Sequence, residues 1–136
     1  MGHKRSNSKA YAPAKARNSA RNTECNTAVP FGRSGGLKLV PRSGTTVTTL
    51  ATPTPLPGVT STGFGKVYVD GTQIYYAVNG ALNNSLVASE LWRCIKPACS
   101  GQTRIASFTS GGITQLNGDE NTVYAAVGRQ LVAITK

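Results

Sequence analysis

Catalytic side chains are scarce in this sequence. Its 136 residues include one histidine, His3, and five acidic residues. A histidine general base or a histidine-containing triad requires a histidine inside the folded part of the protein, and His3 lies in a basic segment with few apolar residues. We therefore expect no enzymatic activity, no metal site and no resident cofactor.

Long apolar runs are also absent. No window approaches the ~20 apolar residues of a transmembrane helix, so no membrane span is predicted. No apolar stretch of about 7–15 residues follows the basic residues near the amino terminus, which is the pattern of a secretory signal peptide. The sequence thus shows no visible signal for export.

Acidic residues are few, and the positive charge is unevenly distributed. Residues 1–42 carry nine basic residues and one acidic residue, a net charge of +8, whereas residues 43–136 carry six and four, a net charge of +2. Residues 1–36 contain too few large apolar side chains to offset the entropy of ordering the chain. We predict that this segment is disordered and that a β domain occupies residues 37–136.

The basic segment allows two interpretations. It is either a solvated tail or an arm that binds a polyanion such as nucleic acid through phosphate contacts, as in a capsid-like protein. The candidate polyanion-binding residues are Lys4, Arg5, Lys9, Lys15, Arg17 and Arg21.

From Leu37 onward the sequence has the pattern of short strands. Nine runs of about five to eight residues are rich in β-branched or aromatic residues, and turn residues separate them. No convincing amphipathic helix is present. This pattern predicts an all-β domain with antiparallel four-stranded sheets.

An internal repeat relates two parts of this domain. "VDGTQIYYAV" at 69–78 matches "NGDENTVYAAV" at 117–127 with an offset of 49 residues, which aligns Tyr75 with Tyr124 and Asp70 with Asp119. The two aspartates precede tight turns, where a carboxylate either caps the turn or forms part of a repeated ligand site. A repeated unit of four strands in about 40–50 residues is typical of β-propeller blades.

The segment "VDGTQIYYAVNG" and the later "ELWRCIKPACSGQTRIAS" carry a family resemblance. They resemble the cysteine-hairpin β-propeller repeats of bacterial secreted and surface proteins. The matching positions are Asp70, Tyr75, Cys94, Cys99, Gly101 and Ala106. The departures are Tyr76 in place of the usual tryptophan, the longer "GALNNSLVA" connection and the absence of cysteine pairs from neighbouring units. The resemblance covers residues 37–136, is most specific for 67–109, and implies about two blades.

Cys94 and Cys99 flank a predicted turn. This spacing lets the two Cβ atoms approach within disulfide range. The alternatives are two free thiols or half of a metal site, for which only Cys25 and His3 remain as partners. A disulfide would indicate an oxidising compartment, such as the extracellular space or the cell surface, and would leave Cys25 unpaired.

The aromatic residues and the incomplete repeat suggest three classes of function. The first is a non-enzymatic module that binds a protein or a glycan; its candidate ligand-binding residues are Trp92, Tyr75, Tyr76 and Tyr124, although core packing is the alternative role. Because two blades cannot close a propeller, we expect self-association into a homo-oligomer. The other classes are a polyanion-binding protein with a basic arm and a fragment of a longer propeller without a function of its own.

Overall fold

The computed structural model describes residues 27–30, 36–40 and 47–136. These residues form ten strands in three antiparallel sheets and no helix, which confirms the all-β prediction. The strands are β1 (Thr27–Pro30), β2 (Leu37–Val40), β3 (Thr48–Ala51), β4 (Ser61–Asp70), β5 (Gln73–Leu82), β6 (Ser85–Ile95), β7 (Ser100–Phe108), β8 (Ile113–Gly118), β9 (Thr122–Val127) and β10 (Gln130–Thr135). We call β1–β3 the first sheet, β4–β7 the middle sheet and β8–β10 the last sheet.

All nine strands predicted from the sequence are present as β2–β10. The four-stranded prediction holds for the middle sheet, with the order β4-β5-β6-β7, whereas the first and last sheets each have three strands among the described residues. Within 27–30, 36–40 and 47–136, the three sheets are separate and none closes on itself.

Strand β1 lies outside the predicted bounds of the β domain. Thr27–Pro30 lies inside the segment predicted to be disordered, yet it pairs with β2 over four positions, from Thr27 opposite Val40 to Pro30 opposite Leu37. The physical reason is the backbone ladder that β2 offers, because pairing satisfies main-chain groups whatever the composition of the segment. The remaining predictions for residues 1–36, including the six polyanion-binding candidates, His3 and Cys25, fall outside the described residues apart from Gly36.

The connection between β5 and β6 also differs from its prediction. "GALNNSLVA" forms no loop excursion, because β5 and β6 continue until only Asn83 and Asn84 separate them. Both asparagines have positive φ angles, 50° and 63°. A two-residue turn with two positive φ angles matches the right-handed twist of paired strands, and asparagine tolerates this conformation better than most residues.

The middle sheet is apolar on both faces. Along β5, Ile74, Tyr76 and Val78 point to the side of the first sheet, where they form a core with Leu37 and Ala51. We call this the first core. The burial follows from the two-residue period of a strand, which sends alternate side chains to opposite faces.

The opposite face of the middle sheet packs against the last sheet. Tyr75, Ala77 and Leu91 are all 0% exposed and form the second core together with the buried Val123 and Ala125. The three sheets therefore stack face to face along the chain, with the middle sheet covered on both sides. Burial of this apolar surface is the main source of stability for the stack.

The cysteine hairpin lies at the β6–β7 turn. Cys94 and Cys99 form a disulfide, with their Cα atoms 4.8 Å apart. Cys94 is 1% exposed and Cys99 is 3% exposed, and both belong to the first core. The pair is consistent with an extracellular location.

Side-chain hydrogen bonds to the backbone join the middle and last sheets at the start of β8. The Asn79 side-chain oxygen accepts a bond of 2.9 Å from the amide of Ile113, and its side-chain nitrogen donates a bond of 3.0 Å to the carbonyl of the same residue. The Ser89 hydroxyl donates to the Gly111 carbonyl at 2.9 Å. These contacts fix the chain segment that leads from one sheet to the next.

A second link lies at the other end of the interface. The Lys136 ammonium donates to Asp70 Oδ2 at 2.5 Å and to the carbonyl of Asp119, and it lies 5.2 Å from the centre of the Tyr68 ring. Partial desolvation, the largest single effect, lowers the pKa of Lys136, but the hydrogen bond and charge of Asp70 outweigh it, and the pKa lies above its ordinary value. Asp70 therefore contributes to joining the two sheets.

Candidate functional site

The four aromatic candidates do not form one site. Tyr76 and Trp92 are cross-strand partners on the face toward the first sheet. Tyr75 lies in the second core with no exposed surface, and its hydroxyl donates to Gln73 at 2.6 Å. Tyr124 lies in the last sheet. The structure thus brings together one pair, Tyr76 and Trp92, and excludes Tyr75 from direct contact with any ligand.

Glu90 completes the surroundings of this pair. It is 8% exposed, and its side chain lies beside Trp92, whose indole nitrogen donates to Glu90 Oε2 at 2.9 Å. The Arg104 guanidinium donates to the other carboxylate oxygen at 2.7 Å. Both carboxylate oxygens therefore accept hydrogen bonds, and the ion pair neutralises the buried charge.

These side chains border a small notch between the middle sheet and the connector that leaves the first sheet. Thr52 and Thr54 form the connector side, and Tyr76, Trp92 and Gln102 form part of the sheet side. The Tyr76 hydroxyl donates to Gln102 Oε1 at 3.2 Å. The notch has a volume of about 20 Å³, which is room for roughly one water molecule.

Sequence reasoning missed Glu90, Gln102 and the two threonines. The spacing of Glu90 and Trp92 held a usable signal, since residues two apart in a strand share a face. Gln102 and the threonines reach the notch through the β6–β7 hairpin and the connector, whose paths are determined by tertiary packing.

The ionisation of Tyr76 provides one test of this arrangement. Burial raises the pKa of Tyr76 from 10.0 to about 12, so its hydroxyl remains a donor to Gln102 at alkaline pH values where an exposed tyrosine ionises. In an alkaline titration followed by ultraviolet absorbance, we expect one of the five tyrosines to ionise near this value. Tyr76→Phe should lower the absorbance change near that pH by the amount of one tyrosine. Because the pKa of Tyr124 is also raised, the assignment is wrong if the absorbance change near pH 12 is as large in the variant as in the original protein.

A second candidate site is the outer face of the last sheet. In the middle sheet, Ala77 lies opposite Leu91. In the last sheet, Ala126 lies opposite Leu131. Because Ala77 and Ala126 are equivalent in the internal repeat, Leu131 occupies the position that Leu91 occupies in the middle sheet.

The two leucines have opposite environments. Leu91 is 0% exposed because the last sheet covers it, whereas Leu131 is 75% exposed, the highest value among the large hydrophobic residues in the described part of the chain. Tyr124 lies on the same face as Leu131, since it alternates with Val123 and Ala125, which point into the second core. We call the face that carries Tyr124, Ala126 and Leu131 the open face.

Tyr124 is held in place by the preceding turn. Asp119 caps this turn by accepting from the amides of Asn121 and Thr122, and its Oδ2 accepts from the Tyr124 hydroxyl at 2.8 Å. The hydrogen bond from Tyr124 is the largest cause of the lowered pKa of Asp119, and the same bond raises the pKa of Tyr124. The capping role considered for Asp119 is thus present, and it orients the aromatic ring of the open face.

Other kinds of site find no support in the described residues. Across 27–30, 36–40 and 47–136, no group of three or more His, Cys, Asp or Glu residues is placed to hold a metal ion. Within the same ranges, no helix is long and apolar enough to cross a membrane. Comparisons with protein-family models, curated protein sequences and solved structures found no significant match.

Proposed function

We propose that the protein is a non-enzymatic repeat module whose open face binds a second copy of the same chain. The observation that carries this proposal is the contrast between Leu91 and Leu131, equivalent residues that are 0% and 75% exposed. Within the chain, the position of Leu91 is covered by a neighbouring sheet. A neighbouring sheet from a second copy would cover Leu131 in the same way.

A two-fold arrangement, in which the open faces of two copies meet, is the simplest geometry. Such an interface needs one self-complementary patch and is the commonest form of homo-oligomer. Ala126 leaves space opposite the projecting Leu131, so the leucine of one copy can pack against the alanine of the other. Aromatic and aliphatic residues such as Tyr124 and Leu131 are suitable contacts for the centre of an interface.

The size of the open face limits the strength of this association. Three strands about 4.8 Å apart and six residues long cover roughly 14 by 20 Å, or about 300 Å². A standard interface buries about 800 Å² on each partner. We therefore expect a weak dimer that forms at concentrations of tens of micromolar or above.

Sedimentation velocity from about 10 µM to 1 mM provides the test. We expect the sedimentation coefficient to rise with concentration and Leu131→Asp to remove the rise, because an aspartate at this position of the open face would be buried without a partner. The matched control is Leu82→Asp, which places the same charge at a 40% exposed leucine outside the open face and should associate like the original protein. A monomer at every concentration, or equal loss of association in both variants, contradicts the proposal.

Salt separates this function from the polyanion-binding alternative. Each copy carries a net charge of +10, so added salt should strengthen self-association by screening repulsion. Binding to nucleic acid through phosphate contacts would instead weaken as salt rises. A titration of labelled DNA and RNA at two salt concentrations therefore distinguishes the two functions.

The resemblance to cysteine-hairpin propeller repeats is part of the same proposal. The covered faces of the middle sheet and the uncovered face of the last sheet fit a short series of blades that needs a further sheet for completion. The Cys94–Cys99 disulfide supports placement in an oxidising, extracellular setting for this module.

A further inference from the structure

We infer that the notch beside Trp92 binds a hydroxyl group of a neutral sugar. The notch lies between the middle sheet and the connector that leaves the first sheet, whereas the open face belongs to the last sheet. Binding at the notch is therefore independent of self-association through the open face. The groups that carry the inference are the indole of Trp92, the carboxylate of Glu90 and the side chain of Gln102.

The charge of the notch selects a neutral ligand. Glu90 is the one acidic residue on its wall, and Arg104 already neutralises it at 2.7 Å. A cation would have to compete with the guanidinium for the carboxylate. An anion would meet the carboxylate at the same place where it approached Arg104. Neither a cation nor an anion therefore meets a net opposite charge on this wall.

The hydrogen-bonding groups select a ligand that both donates and accepts. Each carboxylate oxygen of Glu90 accepts one protein hydrogen bond and retains further acceptor capacity. Gln102 uses its side-chain oxygen for Tyr76, which leaves its amide nitrogen as a donor. Thr52 and Thr54 have hydroxyl groups that can act in either role. A hydroxyl group can satisfy both a carboxylate acceptor and an amide donor.

The size of the notch determines how such a ligand would lie. A volume of about 20 Å³ accepts one hydroxyl or hydroxymethyl group rather than a whole sugar ring. The ring would remain at the mouth, where Trp92 is partly exposed. The apolar C–H face of a sugar packs on an aromatic ring, and this contact distinguishes a sugar from a flexible polyol. Because little of the ligand is buried, the affinity for a single sugar should be in the millimolar range.

Trp92 makes this site directly measurable. It is the only tryptophan in the sequence, so intrinsic tryptophan fluorescence reports on the notch. The probes are the methyl glycosides of glucose, galactose, mannose and fucose, with glycerol as the ringless control and sodium glucuronate as the charged control. We expect a saturable fluorescence change with at least one neutral glycoside below about 100 mM, and weaker changes with both controls.

Variants identify the contacts. Gln102→Ala should weaken the affinity about five-fold or more by removing a donor. The matched control Gln130→Ala removes an exposed glutamine from β10 and should leave the affinity unchanged. Leu131→Asp should also retain sugar binding, so loss of self-association and loss of sugar binding are separate results.

Three outcomes overturn the inference. They are the absence of a saturable response to all four neutral glycosides, an unchanged affinity in Gln102→Ala, and tighter binding of glucuronate than of the neutral sugars. The last result would show that the protein prefers an anionic sugar to a neutral one. Thermal melts of each variant verify that the protein used in the titration is folded.

Discussion

Leu91→Ala should lower the free energy of unfolding by about 2–5 kcal/mol, whereas Leu131→Ala should change it by less than about 0.5 kcal/mol. The two substitutions remove the same atoms at equivalent positions of the repeat. Leu91 is fully buried in the second core, so its loss leaves a cavity between two sheets. Leu131 is 75% exposed, so its removal leaves no cavity in the single chain.

Urea denaturation at low micromolar concentration measures this difference. Dilute protein is required because any self-association would add stability to the original protein and not to the Leu131 variant. The slope of the unfolding free energy against urea should stay the same in both variants, which shows that the unfolded state is unchanged. Equal losses of stability at the two positions would contradict the stacking of the last sheet on the middle sheet.

Asn79→Ala should lower the free energy of unfolding by about 1–3 kcal/mol. The asparagine satisfies both the amide and the carbonyl of Ile113, a residue that is 1% exposed. Alanine would leave these two backbone groups without their side-chain partner at the entry to the last sheet, and an unpaired buried polar group carries its full desolvation cost.

Asn117→Ala is the matched control for this effect. Asn117 is an exposed asparagine in β8 of the last sheet, and its side chain accepts a hydrogen bond from the neighbouring amide of Gly118. We expect a change within about 0.5 kcal/mol for this variant. Hydrogen exchange at the Ile113 amide should accelerate in Asn79→Ala and not in Asn117→Ala. An Asn79 variant as stable as the original protein would show that the bidentate contact contributes nothing to joining the sheets.

The two-residue alternation of side chains in the sequence predicted nine strands. It did so because each stacked sheet has one or two apolar faces, and alternate residues of a strand point to opposite faces. It did not indicate β1, a strand that pairs with β2 over four positions. It also failed at Asn83 and Asn84, where the tolerance of asparagine for positive φ permits a tight turn without glycine.

The candidate site was only partly predictable. Tyr75 and Tyr76 are adjacent in β5, so alternation alone would have placed them on opposite faces and excluded one of them from any shared site. The contact between Glu90 and Arg104 could not be predicted in this way. Register shifts interrupt the pairing of β6 with β7, and one of them lies between Leu91 and Trp92.

The internal repeat was more informative about the open face than the strand pattern was. It allowed each position of the last sheet to be compared with a position of the middle sheet whose surroundings are known. Exposure of Leu131 alone would not identify an apolar binding face, since single exposed apolar residues are common on protein surfaces. The burial of the equivalent Leu91 under a neighbouring sheet is what identifies the open face.

Nuclear magnetic resonance at increasing protein concentration tests the central claim most directly. Between about 50 µM and 1 mM, the amide signals of Tyr124, Ala126 and Leu131 should shift progressively, because a second copy covers the open face over this range of affinities. The amides of Ile74 and Val78, which lie in the first core, should stay constant. Spectra that do not change with concentration, or shifts confined to residues away from the open face, would contradict the account.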